Sequence, residues 1–405
     1  MEAWIVGARR SPLGRAFKGS LREVRPDDLA ARVITATVEA TEGLAMEDLE
    51  DLYLGCAQPF GEHGQNLARV VSVLMGAQGA GGTTVNRYCS SSVQTTRMAF
   101  HAIRSGEAQA LISAGVECVS RTPNFREAGI DTRAWNNSAF AAAQARTKAR
   151  AAEGGAWSDP LVDGELPDVY IAMGQTAENV AGLCGVSRAD QDAWAATSQQ
   201  RAVAAIEAGL FDSQIVPIEL ADGTVVTRDD GPRPGTTAEK LATLDPVFRE
   251  GGSVTAGNSC PLNDGAAALA ITSDEFARSR GIKPLARIVS TAVSALSPEI
   301  MGLGPVEASQ RALAQAGMSI GDMDLYEINE AFAAQVLPSA QQLGMDLDKL
   351  NVHGGGIALG HPFGATGARI AGTLIGALEE RDGQFGLETM CVGGGQGMAM
   401  IIERL

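Results

Sequence analysis

The sequence predicts an α/β protein of two similar halves with a helical segment inserted between them, and three observations lead there. Short apolar runs alternate with amphipathic helical stretches. A helix, a turn and a strand opening on D-L-Y occur twice, in DLAARVITATVEATEGLAMEDLEDLYLG and in PVEASQRALAQAGMSIGDMDLYEIN. The 405 residues are 45% hydrophobic and only 5% aromatic, with 48 glycines. That mix suits closely packed helices and buried sheets better than an all-β design.

In chain order, EAWIVGARR reads as a strand and DDLAARVITATVEATEGL as an amphipathic helix. MEDLEDLYLGCA is an acidic turn and a buried strand, QNLARVVSVLMGA is helical, and GTTVNRYC is extended. The helix after Cys89 leads into the strand ALISAGVEC. From about Arg121 to Glu250 the texture changes to Pro, Gly and Asp clusters around SAFAAAQARTKARAAEG and SRADQDAWAATSQQRAVAAIEAG, an insertion with its own helices. The second half follows, ending on the strand ETMCVGGGQG. The expected division is 1–120 for the first half, completed by about 251–275, then 121–250 for the insertion and 276–405 for the second half.

A net charge of −16 disfavours non-specific binding to nucleic acid or to an anionic membrane. No run of eighteen apolar residues appears, and MEAWIVGARRSPLGR lacks the apolar core of a signal peptide. The closing ERL is a poor imitation of a peroxisomal tripeptide. The six cysteines are dispersed without a C-x-x-C pair, so neither a disulfide framework nor a zinc site is expected, and a cytoplasmic location is the default.

Four segments carry candidate chemistry. In NRYCSSS, Cys89 stands at the mouth of a helix, where the dipole favours a thiolate and free N–H groups can hold an oxyanion. By itself a free cysteine there is more often a small core residue. In GGGIALGHPFGATGARI, His361 sits among glycines and is placed to act as a base, or simply as a hydrogen-bonded loop histidine. His353 nearby suits packing. Cys391 opens the glycine run CVGGGQG, a second thiol able to take a proton from a carbon beside a carbonyl. This run lacks the lysine and hydroxyl of a P-loop. In EINEAFAAQ, Asn329 reads as a helix cap or as an amide that positions a water or a carbonyl oxygen.

Seven motifs in order, VNRYCSSS, MGQTAENVA, SVTAGNSCPLNDGAAA, MGLGPVEA, EINEAFAAQ, NVHGGGIALGHPFGATGARI and CVGGGQGMA, make the chain resemble the thiolases over essentially its full length. The resemblance implies the thiolase-like layered αβαβα fold with an inserted loop domain. It implies Cys89 as the acylated nucleophile and His361 as its activator. His361 and a water held by Asn329 would form one oxyanion hole, and the amides of Cys89 and Gly393 a second. Cys391 would move the proton of the acetyl methyl carbon. Coenzyme A would be the co-substrate, with no prosthetic group or metal, its nucleotide end at Arg233 and its pantetheine flanked by Ala256 and Ser259. The reaction implied is cleavage of a 3-oxoacyl-CoA by CoA, with a degradative role such as β-oxidation, by a homodimer or homotetramer.

Several positions depart from the family pattern. Ser92 and Thr96 stand where glycine and an apolar residue are usual, Cys260-Pro261 follow GN-x, and His353 replaces an asparagine. YIA precedes MGQTAE without the histidine of short-chain enzymes, which favours longer or bulkier acyl groups. The segment 124–168 is longer than usual and is expected to reshape the acyl entrance or a partner surface. Cys56, Cys118, Cys184, His63 and His101 are expected to be structural. Three alternatives stand beside this: a biosynthetic acetoacetyl-CoA thiolase, a ketoacyl-synthase-type condensing enzyme, and a non-catalytic thiolase-like protein for lipid binding or assembly. The last two lack one or more of Cys89, Asn329, His361 and Cys391, all present here.

Overall fold

In the first half the apolar runs fold as strands and the amphipathic ones as helices: β1 (Ala3–Arg10), β2 (Gly14–Arg15), α1 (Pro26–Glu39), β3 (Asp51–Gly55), α2 (Leu67–Leu74), β4 (Thr83–Val85), α3 (Ser91–Ser105) and β5 (Ala110–Cys118). The computed structural model describes residues 1–125 and 127–405, so Arg126 of the long segment lies outside the described residues. α1 opens with Pro26 at its first position and Asp27 and Asp28 in its first turn, which suits the N–H groups left free there. Leu29, Val33, Ile34 and Val38 form its buried stripe.

The insertion carries α4 (Ala141–Glu153), α5 (Met173–Cys184), α6 (Arg188–Glu207), β6 (Ile218–Glu219), β7 (Val225–Val226) and α7 (Ala238–Leu241). α6 starts at a reciprocal cap between Ser187 and Asp190. The chain then forms β8 (Asn263–Ser273), α8 (Asp274–Arg280), β9 (Ala286–Ala295), α9 (Gly304–Ala316), β10 (Leu325–Ile328), α10 (Ala333–Leu343), α11 (Thr366–Glu380), β11 (Phe385–Val392) and β12 (Gln396–Arg404).

The repeat seen in the letters recurs in the strand pairing. One half runs β4-β3-β5-β8-β1 and the other β9-β12-β11-β10. In each, the D-L-Y strand lies parallel to its neighbour (β3 to β5, β10 to β11), and the next two pairings are antiparallel. A parallel bridge from Tyr326 to Leu350 takes the place that β4 holds beside β3. The halves meet edge to edge through two antiparallel pairs, Trp4 with Arg287 and Ile5 with Ala286.

Five layers result. α1 and α2 cover the outer face of one half and α9 and α10 that of the other, while α3 and α11 pack together between the two inner faces. Ile370 and Leu374 of α11 are almost wholly buried in this central layer, each contributing about 1.5–3 kcal/mol. A Cβ on Gly367 would stand 2.4 Å from Val93 Cγ2, so the closeness of α3 and α11 depends on that glycine. This crossing brings the start of α3, with Cys89, beside the loop that precedes α11, with His361. Among the described residues no helix is long and apolar enough to cross a membrane, and no group of three His, Cys, Asp or Glu could hold a metal.

Candidate active site

The thiol segment is a tight turn locked by its own hydroxyls. Tyr88 adopts a left-handed φ of 45°, uncommon for an aromatic residue, and its N–H donates to Asn86 Oδ1 at 2.9 Å. Ser91 Oγ accepts from the Arg87 N–H at 2.9 Å and donates to the Tyr88 carbonyl at 2.7 Å. Ser92 Oγ accepts from the Ala368 N–H at 3.0 Å, tying α3 to α11. Thr95 and Thr96 both meet Ser113 Oγ at 2.8 Å and donate to the Ser92 carbonyl at 2.9 Å, so the hydroxyl at 96 belongs to a buried network that closes on the Ser92 backbone. The serines read from the sequence as a helix start thus serve the turn: Ser90, at the cap position, makes no side-chain cap bond.

Cys89 is half-buried in a turn that packs against β11 and α11, and the backbone amides of Gly393 and of Cys89 itself bear on its titration. These amides favour the thiolate, but burial outweighs them and pushes the thiol up to about 11. The depressed thiol expected from a helix mouth is therefore not the resting state. Cys89 rests protonated and needs a base.

His361 is fully buried before α11. Thr366 Oγ1 donates its one proton to the Pro362 carbonyl at 2.9 Å, so at 2.6 Å it receives the Nδ1–H of His361. Nε2 is then left with its lone pair and accepts from Asn329 Nδ2 at 3.2 Å. Burial, then the charge of Arg369, pushes the imidazole down to about 3, which holds it neutral. Asn329 does not cap α10, whose cap position is Phe332, and its Oδ1 is buried without a hydrogen-bond partner among the described residues.

Cys391 ends β11 fully buried, its thiol pushed well up by burial and then by the neighbouring Cys89 and Cys260. It belongs to an apolar cluster with Met301 and Phe332, against which Met173, Phe248 and Cys260 pack. Phe248 lies flat on Gly174, where a Cβ would come within 2.1 Å of its ring, so no larger residue fits in MGQTAE. Cys260, at the join between strand and pocket, donates its N–H to the Ala331 carbonyl at 3.0 Å. Arg233, Ala256 and Ser259 line one narrow cleft with Arg15, Gln199, Pro261 and Ile357. Arg233 is exposed at its mouth, and its N–H donates to Gln199 Oε1 at 2.8 Å.

Three supporting residues were not singled out in the sequence. Buried Glu117 accepts from the N–H groups of Ala57, Gln58 and Gly364 at 2.8–2.9 Å, fixing the histidine loop to β5. Burial raises this carboxyl to about 7. Asn263 Oδ1 accepts from the His361 N–H at 2.9 Å. Glu330 accepts from Trp194 Nε1, Ser198 Oγ, Asn351 Nδ2 and the Ile357 N–H, holding the glycine loop against α6. A buried acidic residue inside an apolar run was the available signal for Glu117 and Glu330. His353 Nε2–H donates to Glu380 Oε2 at 2.8 Å, a packing and hydrogen-bonding role.

In this two-half α/β fold Asn329 meets His361 before α11, the Cys89 turn packs against β11 and α11, and Cys391 stands on β11 near Cys89 and Cys260, a set of groups of the kind used in thiol-based acyl transfer. The thiolase N-terminal domain model matches residues 3–275 and the thiolase C-terminal domain model residues 282–404. A 3-ketoacyl-CoA thiolase of Bacillus subtilis (strain 168) is 42% identical over 415 residues, covering 99% of each chain. A 3-oxoadipyl-CoA/3-oxo-5,6-dehydrosuberyl-CoA thiolase of Escherichia coli (strain K12) is also 42% identical, with full coverage of both. The structure of human mitochondrial 3-ketoacyl-CoA thiolase in complex with CoA superposes with a TM-score of 0.86 at 35% identity, covering 100% of this chain and 98% of that one. The chain belongs to the thiolase family, and its fold is the thiolase fold.

Proposed function

We propose that this thiolase cleaves a 3-oxoacyl-CoA with CoA, giving acetyl-CoA and a shortened acyl-CoA through an acyl-enzyme on Cys89, in a degradative role. The observation that carries this is the buried Asn329–His361 hydrogen bond, with the imidazole proton held on Nδ1 by Thr366, in a fold that packs the Cys89 turn against α11 and β11.

His361 Nε2 takes the Cys89 proton, and the thiolate attacks the C3 carbonyl. The C3 oxyanion forms, then the C2–C3 bond breaks and its electron pair passes to the acetyl-CoA enolate. Asn329, through a water, and His361 stabilise the enolate oxygen, and Cys391 gives its proton to C2. In the second half Cys391 accepts the CoA thiol proton, and the CoA sulfur attacks the acyl-enzyme. The amides of Cys89 and Gly393 hold that second oxyanion. Cys89 leaves as the thiolate and takes its proton back from His361, which restores both groups for another turnover. Neutral His361 with its proton on Nδ1 and the Nε2 lone pair held only by the Asn329 amide supports its role as base.

The cleft lined by Arg15, Arg233, Ala256 and Ser259 suits the pantetheine arm, with the two arginines supplying local positive charge in an acidic protein. In this assignment 121–250 is the loop domain that carries CoA. The halves are 1–120 with 251–275, and 276–405. Six free cysteines suit a reducing cytoplasm. The β4 edge, beside the exposed Val70, Val73 and Leu74 of α2, supports pairing with a second copy into a homodimer, the unit from which a tetramer would be built.

Steady-state thiolysis across 3-oxoacyl-CoAs, with mass spectrometry of the acylated protein, tests this. Turnover and an acyl adduct on Cys89 are expected, both lost in Cys89→Ser. Full activity in that variant overturns the mechanism. Preference for acetoacetyl-CoA, run in the condensing direction, would favour the biosynthetic alternative.

A further inference from the structure

Residues 150–168 of the long segment are tied to the rest of the fold through the carboxylate of Glu299. Glu299 is 1% exposed. Its Oε2 accepts from Trp157 Nε1 at 2.8 Å and from Arg150 at 3.2 Å, and its Oε1 accepts from the Asp168 N–H at 2.9 Å. Its own carbonyl accepts from Asn179 Nδ2 at 2.9 Å. Asn179 Oδ1 in turn accepts from Arg249 at 2.9 Å, and Arg249 also donates to Gln175 Oε1 at 2.8 Å.

The knot therefore bears on three side chains of the apolar cluster that contains Cys391. Asp168 stands five residues before Met173, Glu299 two residues before Met301, and Arg249 directly after Phe248. Met173, Phe248 and Met301 are the large flexible or aromatic side chains packed with Cys391. A buried carboxylate whose oxygens are all engaged has one low-energy position, so the backbones it holds share a single arrangement.

We propose that Glu299 is a positioning residue that sets acyl-chain specificity, by latching α4 and Trp157 onto the elements carrying Met173, Met301 and Phe248. The proposal rests on the thiolase site described above. The substrate class it selects is a 3-oxoacyl-CoA with an apolar acyl group larger than acetoacetyl, because the side chains it anchors in the Cys391 cluster are thioethers and an aromatic ring. Glu299 itself touches no reacting atom.

Glu299→Gln tests the latch: a carboxamide cannot accept from Asp168, Trp157 and Arg150 together, since its NH2 group would face other donors. Trp157→Phe removes one donor and leaves the carboxylate its other partners, so it reports even where the Gln variant folds poorly. The readout is the ratio of kcat/KM for 3-oxooctanoyl-CoA to that for acetoacetyl-CoA, alongside the rate of Cys89 alkylation by iodoacetamide. Both variants are expected to shift the ratio at least about fivefold, a modest change for a repacked apolar pocket, with alkylation unchanged. Equal losses on both substrates indicate a merely structural role and overturn the proposal, as does an unchanged ratio. A wild-type protein that cleaves no 3-oxoacyl-CoA overturns the site assignment and the latch with it, whereas an active wild type with unmoved variants overturns the latch alone.

Discussion

Asn329 Nδ2 lies 3.2 Å from His361 Nε2, so the carboxamide after β10 and the imidazole before α11 form one unit, drawn from two segments thirty-two residues apart. Asn329→Ala removes that partner and the water site. By comparison with the loss of an oxyanion-hole donor, kcat for thiolysis is expected to fall by about 10²–10³. Little change in KM for CoA is expected. An Ala variant with wild-type kcat would remove Asn329 from the mechanism.

Thr366 decides which imidazole nitrogen carries the proton. Thr366→Val leaves a buried Nδ1–H without an acceptor, a cost of about 1–3 kcal/mol. The ring then turns or changes tautomer. We expect kcat to fall at least about tenfold, with recovery in Thr366→Ser, which restores the hydroxyl. Rescue by Ser is the decisive arm: equal loss in Val and Ser would mean that packing of the methyl group matters instead.

The histidines make stability sensitive to acid. Burial holds His361 at about 3 and His63 at about 4, whereas an unfolded imidazole titrates at 6.5. Below pH 6.5 the unfolded chain takes up more protons than the folded one, so stability falls as pH drops towards 4. His63 Nε2 accepts from the Cys118 N–H at 2.9 Å and lies away from the reacting groups. His63→Asn should flatten the fall in denaturation midpoint between pH 7 and 5. An undiminished slope would leave that acid sensitivity to other groups.

Cys89 gives an opposite signature at high pH. With its thiol held at about 11, alkylation by iodoacetamide should keep rising through pH 10, where an ordinary thiol with pKa 9.0 is levelling off. A plateau already at neutral pH would instead report a thiolate paired with the imidazolium at rest.

Glu327 and Glu388 stand opposite each other in the β10–β11 register, both buried without hydrogen-bond partners among the described residues. Arg369 of α11 is their shared cation. Burial, offset in part by Arg369, raises Glu327 to about 8 and Glu388 well above its ordinary value. An unfolded glutamate ionises at 4.5, so above that pH the folded chain holds more protons and stability is lost as pH rises. Glu388→Gln keeps the shape and removes one titration. It should raise stability at pH 8 by about 1 kcal/mol or more and change it little at pH 4.5. Urea denaturation at the two pH values checks this, and destabilisation at pH 8 would mean that the ionised form is needed by Arg369.

Much of this molecule was legible in its letters. Periodicity placed β1, α1, β5, α6 and α9, because apolar spacing is a local property that survives folding. The D-L-Y repeat implied two halves, and the motif order implied the family. His361 and Cys391 stood out as reactive residue types among glycines, where backbone approaches closely, Cys89 as a thiol at a helix mouth and Asn329 as an amide at a strand end. What the letters left open was decided by long-range contact. Whether Asn329 caps a helix or faces an imidazole depends on where the chain 32 residues later returns. The thiol expected to be acidic at a helix mouth is raised instead, because the opposing strands and loops bury it more strongly than two amides stabilise its charge. Glu117, Glu330 and Glu299 act through partners brought together from distant parts of the chain, and spacing along the chain carries no trace of such pairings. Sequence alone determined which groups are available for chemistry; tertiary packing set their protonation and their neighbours, because desolvation and hydrogen bonding depend on what surrounds an atom in space.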